Sequence, residues 1–242
     1  MKVLIIGSNF TSQMIEYLPQ LAKAGGKELL LGNLRAENCS IESHYRNYID
    51  ENEVYTYETY LPGITEAMRP DGIALHEAVE DDEWDIIIFS QNIALSGIRE
   101  SYNPYLAELS AYCRLMITGA ETILIEPWAY EPGCDKKAFI KAYNSDSDEM
   151  ASRISECCAS AAVTAEIDRV ISLGKVWQAV RDSDPGISLT SDGESADEAG
   201  KFLSSCVLHR ELFSESADYS GLDLKGISAD TAAFLHRLSS HI

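Results

Sequence analysis

No two cysteines in this 242-residue chain stand two residues apart, although six are present: Cys39, Cys113, Cys134, Cys157, Cys158 and Cys206. That absence removes the paired-thiol spacing of zinc knuckles and dithiol redox sites. No apolar run approaches the roughly 20 residues that span a bilayer, so no membrane partner is expected. Basic residues are scarce: 19 Lys and Arg face 39 Asp and Glu, for a net charge of −20. Such a surface repels phosphate backbones and anionic lipid, so nucleic acid is not an expected partner either. Gly-x-Gly-x-x-Gly, P-loop, Gly-x-Ser-x-Gly and His-Glu-x-x-His patterns are all missing. No metal or nucleotide cofactor is therefore implied.

What is present begins with an apolar, β-branched run, Val3 to Ile6, expected as a strand buried on both faces. A strand that starts at residue 2 leaves no room for a secretory leader. With buried free thiols as the reading for Cys113, Cys157, Cys158 and Cys206, the expected setting is reducing and cytoplasmic. Apolar content of 45% is enough for a substantial core.

Further strands are expected at 28–34, 84–89, 121–126 and 167–172, with a peripheral hairpin arm at 54–60. Helices are expected at 13–24 (capped by Thr11), 43–49, 71–79, 105–117, 149–165, 175–180 and 199–212. A short helix lies within the polar stretch 128–147. The tail after Ser214 reads as polar and loosely packed, with a helix over 229–238. The organisation is one domain, 1–214, followed by an extension, 215–242. Alternating strands and helices imply right-handed crossovers and a parallel sheet. Ligands of such sheets lie beyond the strand carboxyl ends, where strand order reverses. Three loops should meet there: 8–11, 35–44 and 90–97. A homodimer through a sheet edge or helix face is compatible with this pattern.

Several short motifs recur in one order. The first strand ends in Gly7-Ser8-Asn9-Phe10-Thr11. Asn33-Leu34 precedes Asn38-Cys39-Ser40-Ile41 and His44. Ser90-Gln91 is followed by Leu95-Ser96-Gly97, then by Tyr102-Asn103-Pro104-Tyr105-Leu106 and Trp128-Ala129-Tyr130. Gly174 to Arg181 precedes a last block, Asp192-Gly193-Glu194-Ser195. In this order and spacing, over residues 1 to about 213, the chain resembles the SGNH hydrolases, in particular a bacterial branch of them. That resemblance implies a three-layer α/β/α sandwich with a five-stranded parallel sheet, flavodoxin-like in topology.

It also implies ester hydrolysis by a serine, a histidine base and an orienting aspartate, with an oxyanion held by amides. The departures fall on those positions. Asn9 stands where the branch has its serine, in Gly-Asn-Ser-Phe-Ser. Asn38 stands at the oxyanion glycine. Ser195 stands at the histidine of Asp-Gly-x-His. Asp192 and Gln91 remain as the family has them. An amide is no nucleophile, and a hydroxyl takes no proton near neutral pH.

Strand alternation places the side chain of Ser8 opposite that of Asn9. His44, in a loop due to meet the crevice, is a candidate for substrate binding or acid–base work. His76, His209, His236 and His241 read as solvated. Gln91 and Asn92 offer amides at the mouth, and Trp128 and Tyr130 suit stacking on a sugar or apolar ligand. Two functions of different class follow. One is a protein that binds a small polar, carbohydrate- or ester-like molecule through Asn9, Asn38, Gln91, Asn92, His44 and Asp192, without acyl-enzyme hydrolysis or with altered chemistry. The other is an esterase or deacetylase with an unorthodox nucleophile, Ser8 or Ser40.

Overall fold

A computed structural model describes residues 1–184 and 186–240. His241 thus lies outside the described residues. The strands are β1 Lys2–Ser8, β2 Leu30–Ala36, β3 Tyr55–Tyr60, β4 Asp71–Ile73, β5 Ile86–Ser90, β6 Glu121–Glu126 and β7 Arg169–Ser172. They form one sheet in the order β4-β3-β2-β1-β5-β6-β7. The five strands β2, β1, β5, β6 and β7 are parallel, with Ile6 opposite Leu34 on one side and Phe89 on the other. The sheet is nevertheless mixed and seven-stranded rather than purely parallel and five-stranded. The arm expected at 54–60 joins β2 antiparallel as β3, and β4 pairs antiparallel with β3.

The helices are α1 Asn9–Met14, α2 Leu18–Ala24, α3 Ile41–Ile49, α4 Leu75–Glu80, α5 Tyr105–Met116, α6 Lys137–Tyr143, α7 Ser147–Thr164, α8 Leu173–Ser183, α9 Glu198–Phe213 and α10 Ala229–Ser239. Helices α1, α2, α8 and α9 pack in one group with α10, and α3, α4 and α5 in another. At the centre, Val3, Leu4, Ile5 and Ile6 of β1 and Ile87, Ile88 and Phe89 of β5 are all fully buried. Each such side chain contributes roughly 1.5–3 kcal/mol of burial.

Three expectations for the elements need correction. The helix over 13–24 is two helices, because Pro19 opens α2 within its first turn and the chain breaks at Ile15–Tyr17. Thr11 lies inside α1 rather than capping it. The helix over 71–79 starts only at Leu75, since Gly72 has φ 73° and belongs to β4.

The tail is mostly exposed over 214–230, as expected, but its terminal helix is packed. Helix α9 is buried on most sides, with Phe202 to Leu208 all buried, and so needs cover beyond α1, α2 and α8. Helix α10 supplies it through fully buried Ala232 and Leu235. His209 of α9 is buried as a consequence, with Nδ1 3.3 Å from the carbonyl of Glu215 and its ring 4.9 Å from Phe213. Burial also pushes its pKa down.

All six cysteines are buried free thiols. No described helix is long and apolar enough to cross a membrane.

Candidate functional site

Strand order reverses at β1, which has β2 on one side and β5 on the other. The loops that follow these three strands meet there and enclose a cleft of about 250 Å³. Ser8 and Asn9 enter it from the end of β1, Asn38 from the loop after β2, and Asn92 from the loop after β5. Ser195 closes it from the loop before α9. Glu194, from the 192–195 block, lines the same cleft, as do Gln13, Glu37 and Lys136, which carried no local motif. Only Phe10 and Ile93 are apolar among its lining residues.

The junction of β1 and α1 is fastened from behind. Thr11 Oγ1 lies 2.7 Å from both the Ser8 carbonyl and Asn33 Oδ1, which share its one proton. Asn33 Nδ2 donates to Glu58 Oε2 at 2.8 Å, and Arg35 Nε pairs with Glu58 Oε1 at 3.1 Å. A Cβ on Gly7 would collide with Thr11 Cγ2, so α1 can turn off the strand this tightly only past a glycine. Because the strand ends at Ser8 and Asn9 opens a helix, alternation no longer governs the pair. Both residues line the cleft, Asn9 exposed and Ser8 buried.

Asn9 Oδ1 accepts the backbone N–H of Asn38 at 3.3 Å. Asn38 holds φ 53°, a left-handed conformation that asparagine tolerates. Asn92 Nδ2 reaches the Asn38 carbonyl at 3.4 Å, while Asn92 Oδ1 accepts from Ala94 N at 3.0 Å. Gln91 is fully buried rather than at the mouth. Its oxygen accepts from Ile41 N and Asn92 N, and its nitrogen donates to Ser101, so it fixes one loop to the other.

The loop from Thr190 to Ala196 is held as a tight turn. Asp192 Oδ1 accepts from Glu194 N at 3.0 Å and Ser195 N at 2.6 Å, and Oδ2 accepts from Ser195 Oγ at 3.1 Å. Partial burial opposes ionisation of Asp192, but these bonds, chiefly that from Ser195 N–H, prevail and hold its pKa below the usual value. Gly193 has φ 82°, and a Cβ there would come within 2.9 Å of Cys134 Cβ.

Trp128 and Tyr130 secure this loop instead of presenting faces to a ligand. Trp128 is fully buried, stacked on Trp177 at 4.0 Å and edge-on to Phe10 at 5.3 Å, and its Nε1 donates to the Glu194 carbonyl at 2.8 Å. Tyr130 is buried and donates to Glu194 Oε1 at 2.7 Å; Glu194 Oε2 pairs with Lys136 Nζ at 2.6 Å. That carboxylate raises the Lys136 pKa.

His44 is absent from the cleft. It lies fully buried behind the Asn38–Ser40 loop, stacked 5.6 Å from Tyr55, with Nδ1 2.9 Å from Tyr55 Oη and 3.5 Å from Cys39 Sγ. Its Nε2 has no partner among the described residues. Burial pulls its pKa to about 3 and pushes the Cys39 thiol up to about 12, so both are neutral. Ser40 caps α3 by accepting from Ser43 N at 3.1 Å and is not a cleft residue. No described histidine lines the cleft. Among the described residues no group of three or more His, Cys, Asp and Glu is placed to hold a metal ion. A wider groove of about 890 Å³, lined by Glu80 to Asp85 and Met116 to Gly119, lies at the opposite, amino-terminal ends of β5 and β6. Its Asp81 and Asp82 are already bonded to Tyr57 and Lys2.

Comparison with known proteins places this architecture. A family described as a domain of unknown function, DUF4886, matches residues 2–234. The chain belongs to the DUF4886 family. A crystallised DUF4886 protein from Bacteroides uniformis is 27% identical and superposes with a TM-score of 0.93, over 99% of this chain and 93% of that one. This DUF4886 chain also shares its fold with SGNH and GDSL hydrolases. A candidate SGNH hydrolase from Slackia heliotrinireducens superposes with a TM-score of 0.60 at 19% identity, covering 88% of this chain and 98% of that one. An acetyl-xylooligosaccharide esterase from Geobacillus gives 0.54 at 12% identity, covering 92% and 95%. No curated protein matches the DUF4886 chain.

Proposed function

We propose that this DUF4886 chain is an SGNH-type framework that binds a small polar ligand, carbohydrate- or ester-like in size and polarity, without forming an acyl-enzyme. Residues 1–214 carry the cleft, and the segment from 215 onward serves as a packed extension. The observation that carries this reading is the bond from Asn38 N–H to Asn9 Oδ1 at 3.3 Å. Acyl transfer needs a nucleophilic oxygen and free amide donors for the oxyanion. Here the residue in the nucleophile's place is an amide, and its own oxygen occupies the donor that an oxyanion would use. Ser195, in the base's place, is a hydroxyl that donates to Asp192. The fold shared with an acetyl-xylooligosaccharide esterase supports a cleft inherited from ester chemistry.

The test is a serine-directed fluorophosphonate probe together with a panel of nitrophenyl esters. The proposal expects neither labelling nor turnover above buffer. Turnover that disappears in Ser8→Ala or Ser40→Ala would establish an unorthodox esterase instead.

A further inference from the structure

Three side-chain amides in the cleft share one orientation. Asn9 Oδ1 accepts from Asn38 N at 3.3 Å, Asn92 Oδ1 from Ala94 N at 3.0 Å, and Gln13 Oε1 from Ala196 N at 2.7 Å. A backbone N–H can only donate, so the atom facing it is in each case the amide oxygen. The three NH₂ groups are thereby left for the cleft. Asn9 Nδ2 and Gln13 Nε2 have no hydrogen-bond partner among the described residues, and Asn92 Nδ2 has only the long contact to the Asn38 carbonyl at 3.4 Å. The ammonium of Lys136 stands at the rim already paired with Glu194 at 2.6 Å, so it offers its remaining N–H donors rather than a free positive charge.

The cleft therefore offers donors and has its side-chain amide oxygens spent. Each of these oxygens has already accepted one bond, so the part of each side chain left to seek a partner is chiefly its NH₂ donor, which a sugar hydroxyl uses only through its oxygen. A carboxylate brings two oxygens with about four acceptor sites and no donor. The two acidic lining residues do not overturn this match. Glu194 is neutralised by Lys136 and bonded by Tyr130, and Glu37 is solvent-exposed at the rim. A phosphate dianion would call for more than one cation, and Lys136 stands alone among the lining residues. Resting on the ligand-binding reading above, we infer that the cleft recognises its ligand through a carboxylate group, with Asn9, Gln13 and Asn92 as the donors that read it.

The experiment is a titration of the full chain, followed by saturation-transfer NMR at constant ionic strength. The probes are sodium acetate, propionate and benzoate, the corresponding primary amides, and methyl glycosides. Carboxylates bind, and the matching amides bind at least ten-fold more weakly. Asn9→Asp and Gln13→Glu replace an NH₂ donor by an oxygen at constant shape. Each weakens carboxylate binding at least ten-fold while leaving the thermal melting curve in place. Equal binding of acid and amide, or unchanged binding by both folded variants, overturns the inference. Binding of methyl glycosides without carboxylates overturns it too, yet leaves the ligand-binding reading standing. Ester turnover overturns that reading whatever the carboxylates do, and absence of binding in all three classes overturns both.

Discussion

The loop from Asn38 to Ser40 separates two polar clusters of opposite character. On one side lies the open cleft, where Asn9 and Gln13 keep donors with no partner among the described residues and Asn92 Nδ2 makes only a 3.4 Å contact. On the other lies a sealed cage, where His44 stacks on Tyr55 beside Cys39 and leaves Nε2 with no partner among the described residues. The groups usually associated with chemistry, an imidazole and a thiol, are in the cage. Burial keeps both neutral there and no cleft atom can reach them through the loop. On the function proposed above, the groups in the cleft recognise a ligand rather than attack it. Residue type alone therefore does not tell which of the two clusters a ligand can reach, whereas access to solvent does.

The largest effect is expected from removing the wall that the cleft shares with the core. Trp128→Ala deletes the stack on Trp177 and the bond to the Glu194 carbonyl. It should cost about 3–5 kcal/mol in denaturant unfolding and loosen the Asp192 turn. A loss below about 1 kcal/mol would mean that the turn is not held from beneath.

The cage responds to pH. The folded His44 has a pKa of about 3, against about 6.5 in an unfolded chain. Above pH 6.5 neither state is protonated at this residue, and it contributes no pH dependence. As pH falls from 6.5 toward 3, the unfolded chain takes a proton that the folded one refuses, so stability is lost. At pH 5 the loss amounts to about 2 kcal/mol. His44→Leu should flatten this acid limb in urea melts at pH 7 and pH 5. An unaltered slope in that variant would show that the cage is wetter than its burial indicates.

The smallest effect belongs to the rim. Lys136 and Glu194 pair at 2.6 Å, but the lysine side chain is 44% exposed. Lys136→Met should change stability by no more than about 1 kcal/mol. A larger loss in thermal melting would turn this pair from a rim contact into a structural tie.

Much of the framework could be read from residue pattern. The apolar runs of β1, β5 and β6 mark the parallel strands, and their connection pattern brings the loops carrying Ser8, Asn38 and Asn92 together. Strand β4 escaped because Asp71–Ile73 is three residues long and carries no apolar run; only its pairing with β3 makes it a strand. The break between α1 and α2 was signalled by Pro19 but masked by the continuing apolar period around it. The burial of His44 had a signal as well: Ile41, His44 and Tyr48 share one face of α3 at spacings of three and four residues, which marks the inner side. Gln13 follows Asn9 by four residues on α1 and so shares its face. Glu194 came with the 192–195 block, but nothing local announces Lys136, because only the folded chain brings its loop to the cleft.

Fluorophosphonate labelling of the wild-type chain beside the double variant Asn9→Ser with Ser195→His bears most directly on the loss of hydrolytic chemistry. The double variant restores an attacking oxygen, frees the Asn38 N–H and returns an imidazole next to Asp192. General-base assistance of this kind is worth about 10²- to 10⁴-fold. The account predicts no label on the wild type, and both label and nitrophenyl-ester turnover in the double variant. A labelled wild-type serine, or a folded double variant that stays inert, would contradict it.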